Sequence, residues 1–250
     1  MIITFASPKG GTGKTTATIT AAKLLAEEGS KVLVIDIDSS LAASQCYGEQ
    51  FTKMDVTSLE FLSGSVEHFQ GIYHARENID IIPGNIRNQL MNNIMDHQLK
   101  VSIRKSGLTE KYDYIFIDPP GYWGAHLRNA VVASDVMVIP ANCSRIDFEV
   151  TRLFFQTLQD CGMEDKEVFV CLNSYNAKSN LPGTFDMFKE EFGDFLMGET
   201  IPYIQSLKKL TNNVDYALHP TVTKRLRGFV DCILGRSQTT QTETPTEAVG

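Results

Sequence analysis

Apolar runs and amphipathic segments alternate along the chain, and they predict strands and helices respectively. The apolar runs are short, rich in β-branched residues and bounded by turn residues. They predict strands at residues 1–6, 31–38, 79–83, 112–118, 135–140 and 168–173, with 79–83 at or near a sheet edge. Their centres are almost uninterrupted apolar sequence, which is typical of parallel strands covered by helices on both faces.

The intervening segments predict helices over residues 15–28, 86–106, 126–133, 148–161, 185–196 and 222–234. In the first of them, Ala17, Ala21 and Leu24 lie on one stripe, and Gly29 follows at the helix end. Strands that alternate with helices predict an α/β fold, a doubly wound and mostly parallel sheet flanked by helices on both faces. We expect a single domain over residues 1–235 and a flexible polar tail over residues 236–250.

Composition narrows the class of protein. The chain has 250 residues, of which 42% are hydrophobic, and its formal net charge is −7. No apolar run approaches the ~18 residues that cross a bilayer, and no leader-like segment precedes the first strand, so we expect a cytoplasmic protein. The cysteines are five in number and scattered, which argues against a disulfide framework, a zinc finger and a shared iron–sulfur cluster.

A glycine-rich segment between the first strand and the first helix is the strongest chemical signal. Glycines let backbone N–H groups turn inward around a polyphosphate, Lys14 supplies a positive charge, and the Thr15 hydroxyl is a ligand for Mg²⁺. The strict phosphate-loop pattern has glycine where this chain has Pro8; the alternative is a turn that binds nothing. The candidate nucleotide-binding residues here are Gly10, Gly11, Thr12, Gly13, Lys14, Thr15 and Thr16.

The segment from Lys9 to Thr16 resembles the deviant Walker A motif of the ParA/MinD family of partition and positioning ATPases. The resemblance implies the P-loop NTPase fold, ATP and Mg²⁺ as cofactors, and a homodimer that sandwiches the nucleotides. It also implies a catalytic role for Lys9, which would reach the phosphates held by the partner subunit. The alternative for Lys9 is a solvated surface lysine.

Two acidic strand ends extend the resemblance. Asp36 and Asp38 end the second strand, and alternation directs both carboxylates to one side. The resemblance implies that Asp38 activates the attacking water and that Asp36 assists near the metal, although Ser39-Ser40 replaces the usual Pro-Gln. Asp118 ends another apolar strand, where a carboxylate can hold Mg²⁺ beside Thr15. The alternative for Asp36 and Asp38 is a pair of strand-end caps.

Two further positions are assigned to the base by the same resemblance. Asn173 ends the predicted strand at 168–173, where family members recognise adenine, and Pro202 resembles the proline of the next base-binding loop. An asparagine at a strand end is also a common turn residue, so this alternative stays open.

Basic residues are concentrated near the carboxyl end, although the chain as a whole is acidic. Between residues 205 and 236, six lysines and arginines are accompanied by two aspartates. A basic face binds DNA phosphates without reading the bases, and the alternative is an ordinary solvated helix face. The candidate DNA-binding residues are Lys208, Lys209, Lys224, Arg225 and Arg227.

The resemblance therefore implies a ParA-like ATPase for plasmid or chromosome segregation or cargo positioning. Its ATP-bound dimer would bind nonspecific DNA at the nucleoid, and a ParB-like or adaptor protein would stimulate slow hydrolysis and release it. One alternative is a MinD-like ATPase on a membrane, but Leu226, Phe229 and Ile233 in the last helix follow a core-packing stripe. The other is a P-loop small-molecule ligase, which would not need Lys9.

Overall fold

The structure, a computed structural model, describes residues 1–64, 69–91, 93–161, 166–175, 183–202 and 205–236. Within these residues, eight strands form one sheet. The strands are β1 (Ile2–Phe5), β2 (Val32–Asp36), β3 (Tyr73–Arg76), β4 (Ile79–Ile82), β5 (Tyr114–Asp118), β6 (Val136–Asn142), β7 (Glu167–Tyr175) and β8 (Ile201–Pro202). Their order is β3-β4-β2-β5-β1-β6-β7-β8, and only the edge pair β3 and β4 is antiparallel.

Helices cover both faces of this sheet. They are α1 (Lys14–Glu27), α2 (Ala42–Tyr47), α3 (Ser58–Leu62), α4 (Gln98–Lys105), α5 (Leu108–Lys111), α6 (Ala125–Ala133), α7 (Arg145–Asp160), α8 (Thr184–Phe192), α9 (Gln205–Asn212) and α10 (Pro220–Ile233). Short 3₁₀ turns occur at Glu49–Lys53, Ile86–Leu90 and Gly193–Phe195.

Alternate residues of the central strands pack on opposite faces of the sheet. In β1, Ile3 and Phe5 join the core formed with α1, α9 and α10, whereas Ile2 joins the core formed with α3 to α6. A third cluster packs α7 and α8 on the same side as α6. Burial on both faces explains the continuous apolar runs and confirms the predicted doubly wound α/β fold.

The predicted helix over residues 86–106 is wrong in its extent. The structure has a 3₁₀ turn at Ile86–Leu90 and begins α4 only at Gln98. Asn129, a fully buried residue of α6, accounts for the late start. Its Oδ1 accepts the N–H of Leu99 at 2.9 Å, and its Nδ2 donates to the carbonyl of Met95 at 3.0 Å. A side chain from another helix therefore caps α4.

Several other features differ from the predictions or refine them. The sequence pattern does not predict α2, α3, α5, α9 or the strands β3 and β8, because these elements are too short for a clear period. Arg236, the first residue of the predicted tail, contacts Tyr114 and Glu28, and residues 237–250 lie outside the described residues. None of the helices in the described part of the chain is long and apolar enough to cross a membrane.

Replacing Asn129 by alanine removes the cap of α4 and leaves the Leu99 N–H buried without a partner. We expect Asn129→Ala to lower the free energy of unfolding by about 1–3 kcal/mol. The neighbouring Arg128→Ala breaks only an exposed ion pair with Asp96 and should change it by less than about 1 kcal/mol. Urea unfolding of both variants checks this, and equal effects would contradict the capping role.

Candidate nucleotide-binding site

The phosphate loop, residues 8–13, joins β1 to α1 at the carboxyl edge of the sheet. Gly11 and Gly13 have φ angles of 76° and 93°, which side chains other than glycine rarely adopt. A Cβ on Gly13 would collide with the amide of Asn173, so glycine is also required there by close packing. The loop that the sequence predicts is therefore formed, with helix α1 starting directly at Lys14.

Lys14 lies inside this loop and is largely buried. Its Nζ donates to the carbonyl of Lys9 at 3.0 Å. Burial lowers the pKa of Lys14, and the charges of Asp118 and Asp38 oppose that shift. A Cβ built on Gly121, in the loop after β5 (residues 119–124), would lie 2.9 Å from this Nζ. Glycine at 121 thus lets this loop pack directly against the phosphate loop.

Asp118 and Thr15 form the part of the site that fits a metal ion. The Thr15 Oγ1 donates to Asp118 Oδ2 at 2.8 Å. The other carboxylate oxygen, Oδ1, is buried and has no hydrogen-bond partner in the described part of the chain. Burial, and next the charge of Asp36, raise the pKa of Asp118 well above its usual value. A hydroxyl beside a carboxylate with a free buried oxygen is a donor set that suits Mg²⁺.

Asp36 is the register partner of Asp118 on the neighbouring strand, but its hydrogen bonds point elsewhere. Its Oδ2 accepts from the N–H of Ser44 at 2.9 Å and from the Ser44 hydroxyl at 2.6 Å, and its Oδ1 accepts from the N–H of Asp38 at 3.1 Å. Burial raises the pKa of Asp36 to about 6, although the hydrogen bonds from Ser44 act to lower it. This carboxylate anchors α2 and the turn that follows β2, and a role near the metal stays a prediction.

Asp38 stands in a turn just beyond β2. Its Oδ1 accepts the N–H of Ser40 at 2.9 Å, and its carbonyl accepts the N–H of Leu41 at 3.1 Å. The charge of Asp38 contributes to the pKa shifts of both Lys14 and Asp118, so it belongs electrostatically to the same site. Activation of the attacking water by its half-buried carboxylate stays a prediction.

Lys9 has a partner that the sequence pattern does not predict. Lys9 Nζ lies 2.6 Å from Oδ2 of Asp147, whose side chain is 5% exposed. The same carboxylate accepts from the Ser144 hydroxyl at 2.5 Å and from the Asn142 amide at 3.3 Å. Ser144 caps the start of α7 by accepting the N–H of Asp147. The Ser-x-x-Asp pattern predicts the capped helix start, but it does not predict the contact between Asp147 and Lys9.

Of the two residues assigned to the base, Asn173 contacts the phosphate loop and Pro202 lies on β8. Asn173 Nδ2 donates to the carbonyl of Thr12 at 2.7 Å, so this side chain braces the loop. Pro202 ends β8, which pairs with β7. Recognition of adenine by either residue stays a prediction.

The basic candidates lie away from the phosphate loop, on the helices that cover one face of the sheet. Lys208 and Lys209 are exposed on α9, and Lys224 is exposed on α10. Arg225 donates to the Thr200 hydroxyl at 3.3 Å, and Arg227 pairs with Glu28 at 2.9 Å. The structure thus places these residues in the helical layer on one face of the sheet. Both arginines already form contacts within the protein.

This geometry defines a P-loop nucleotide-binding protein, and comparisons with known proteins extend the assignment. A sequence model of a family described as an AAA domain matches residues 1–169. The cell division protein PomZ of Myxococcus xanthus is 29% identical over 195 residues, which cover 74% of this chain and 59% of PomZ. The chain therefore spans less than two thirds of that relative's length.

Solved structures agree with this assignment. A plasmid partition protein from Borrelia burgdorferi B31 bound to AMPPNP has a TM-score of 0.80 at 26% identity, covering 94% of this chain and 99% of that one. The septum site-determining protein MinD from Pyrococcus horikoshii, complexed with Mg-ADP, has a TM-score of 0.75 at 25% identity, covering 94% and 97%. The chain belongs to the AAA domain family and, within it, is a P-loop ATPase of the ParA/MinD type. ATP and Mg²⁺ as cofactors are confirmed for this family.

The raised pKa of Asp118 allows a test of its predicted role as a ligand of Mg²⁺. Because burial disfavours the ionised carboxylate, Asp118 lowers the stability of the nucleotide-free fold progressively as the pH rises from the usual carboxyl pKa of 3.8 to the raised folded pKa, and the loss is constant above that pKa. We expect Asp118→Asn to raise the free energy of unfolding on the order of 1 kcal/mol at about pH 8, and by less at about pH 5. The variant should also lose Mg²⁺-dependent nucleotide binding.

Thermal unfolding in EDTA and titration with a fluorescent ATP analogue measure the two effects. Asp113→Asn, which alters an aspartate at the opposite end of β5, serves as the control. If Asp118→Asn binds nucleotide with Mg²⁺ as the unmodified protein does, the assignment of Asp118 is wrong.

Proposed function

We propose that the chain is an ATP-hydrolysing positioning protein whose ATP-bound form is a nucleotide-sandwich dimer that binds DNA without sequence preference. The observation that carries this proposal is the assembly of Lys14, Thr15, Asp38 and Asp118 at one sheet edge. Relatives named for plasmid partition and for cell division support a positioning role. Slow hydrolysis, stimulated by a ParB-like or adaptor protein, would end the bound state.

The residues divide the chemistry between them. The glycine-rich backbone and the N-terminus of α1 bind the phosphates, and Lys14 neutralises their charge. Thr15 and Asp118 would hold Mg²⁺, which would supply positive charge to offset that of the phosphates. Asp38 orients the attacking water and accepts its proton. Its carboxylate is half-buried, and it is assigned neither to the metal nor to a helix cap.

Lys9 connects this chemistry to dimerisation. Its ammonium is held by Asp147 of the same chain, and its side chain is one third exposed at the mouth of the loop. To act on phosphates in a facing subunit, Lys9 must exchange one anionic partner for another. The phosphates of ATP carry more negative charge than the single carboxylate they would replace, and Asp147 would keep its hydrogen bonds from Ser144 and Asn142. Dimerisation is therefore tied to the nucleotide.

Lys9→Ala tests this step. We expect the variant to bind ATP within about threefold of the unmodified protein and to stay monomeric with ATP, because the charge that bridges the two sites is lost. Light scattering after gel filtration with a nonhydrolysable ATP analogue measures the mass. Lys14→Ala is the contrasting variant and should lose nucleotide binding altogether. A Lys9→Ala protein that dimerises normally would remove the sandwich dimer from the proposal.

Charge reversal at Lys208 and Lys209 tests the proposed DNA-binding surface. We expect the double variant Lys208→Glu/Lys209→Glu to weaken ATP-dependent binding of a random-sequence duplex by on the order of tenfold or more, since phosphate contacts are lost and charges are reversed. Fluorescence anisotropy measures the affinity. Arg104→Glu/Lys105→Glu is the matched control, because these exposed residues lie on α4, on the opposite face. Equal losses in both variants would point to net charge and against this surface.

A further inference from the structure

Two arginines converge on one carboxylate at the end of the sheet far from the phosphate loop. Arg227 Nη1 lies 2.9 Å from Oε1 of Glu28, and Arg236 Nη1 lies 3.2 Å from Oε2. Arg236 also donates to the Tyr114 hydroxyl at 2.7 Å. Asp231 is a second acidic neighbour of Arg236, at 3.8 Å. Each oxygen of Glu28 therefore has its own guanidinium.

The position of this arginine pair separates it from the nucleotide site. Glu28 follows the last residue of α1, and the first residue of α1 is Lys14. A helix of 14 residues is about 21 Å long at 1.5 Å per residue. Tyr114 begins β5, whereas the metal-side Asp118 ends it. The arginine pair thus lies at the opposite end of the sheet from the phosphates of ATP.

The two guanidinium groups are accessible and already arranged around a single anion. The side chains of Arg227 and Arg236 are 40% and 42% exposed, and that of Glu28 is 29% exposed. Guanidinium groups bind carboxylate and phosphate oxygens with the same planar geometry. Exposed ion pairs of this kind add little to stability, so one anion can replace another at small cost.

We propose that Glu28 is an internal competitor of the DNA backbone. Its carboxylate holds Arg227 and Arg236 when DNA is absent, and a DNA phosphodiester replaces it when DNA binds. This inference rests on the proposed function, because it requires DNA binding. It adds Arg227 and Arg236 to the phosphate contacts of the DNA surface. It also names Glu28 as the residue that limits the affinity of this surface for DNA. Lys208, Lys209 and Lys224 supply the diffuse part of the attraction.

The competition has a measurable signature in the salt dependence of binding. A protein cation that contacts a phosphate releases a counterion condensed on the DNA, which steepens the decline of affinity with salt. When Arg227 and Arg236 exchange Glu28 for a phosphate, the Glu28 carboxylate stays beside the DNA and retains a cation there, which reduces the net release. The unmodified protein should therefore show a shallower salt dependence than a variant without that carboxylate.

The test is Glu28→Gln, measured by anisotropy of a random-sequence duplex with a nonhydrolysable ATP analogue over a series of salt concentrations. We expect binding on the order of three- to tenfold tighter at low salt, and a log–log salt slope steeper by about one to two. Glu27→Gln is the matched control: it removes the same charge one residue away, where Glu27 pairs with the poorly exposed Lys23 at 3.1 Å. It should leave both quantities nearly unchanged.

Adding Arg227→Ala and Arg236→Ala to Glu28→Gln should abolish the gain, and unchanged nucleotide affinity and thermal midpoint should show that the site and fold are intact. If Glu28→Gln and Glu27→Gln behave alike while the unmodified protein binds DNA with ATP, the inference fails and the proposed function stands. If no variant binds DNA in any nucleotide state, both fail. A gain for phosphatidylglycerol vesicles instead of DNA would overturn DNA as the partner.

Discussion

The parallel register of β2 and β5 sets the central constraint, because it places the carboxylates of Asp36 and Asp118 side by side at a buried sheet edge. Two like charges in such a place cannot both be left without compensation. Ser44 and the N–H of Asp38 supply hydrogen bonds to Asp36. Among the described residues, Asp118 receives the Thr15 hydroxyl and the charge of Lys14, and its Oδ1 has no hydrogen-bond partner. The pairing of the strands therefore favours the magnesium site that is predicted at this carboxylate.

At two places in this chain, cationic side chains form ion pairs with a carboxylate of the same chain, and in our proposal a phosphate replaces that carboxylate. Lys9 is paired with Asp147 at the mouth of the phosphate loop, and Arg227 and Arg236 share Glu28 at the far end of α1. In the proposed cycle, ATP phosphates take the place of Asp147 and DNA phosphates take the place of Glu28. The isolated chain is then a resting state in which the groups needed for assembly are already ordered and neutralised.

Much of the fold and of the nucleotide site could be predicted, because both depend on local pattern. The buried runs predicted six strands that the structure contains, and the loop predicted from Gly13-Lys14-Thr15 is formed, whereas the binding roles of this loop and of Asp118 stay predictions. The contacts that adjust the site join distant positions, as Asn129 does for α4 and Asp147 for Lys9, and no local period encodes them. The basic residues show the same limit, since counting charges along the sequence did not reveal that Glu28 holds two arginines.

The central claim is that nucleotide binding and dimerisation are one coupled process. Titration calorimetry with a nonhydrolysable ATP analogue and Mg²⁺, repeated over about a hundredfold range of protein concentration, tests it most directly. Coupling predicts that the apparent Kd for the nucleotide falls as the protein concentration rises, because the dimer binds it more tightly than the monomer. An apparent Kd that is the same at every protein concentration would contradict the account.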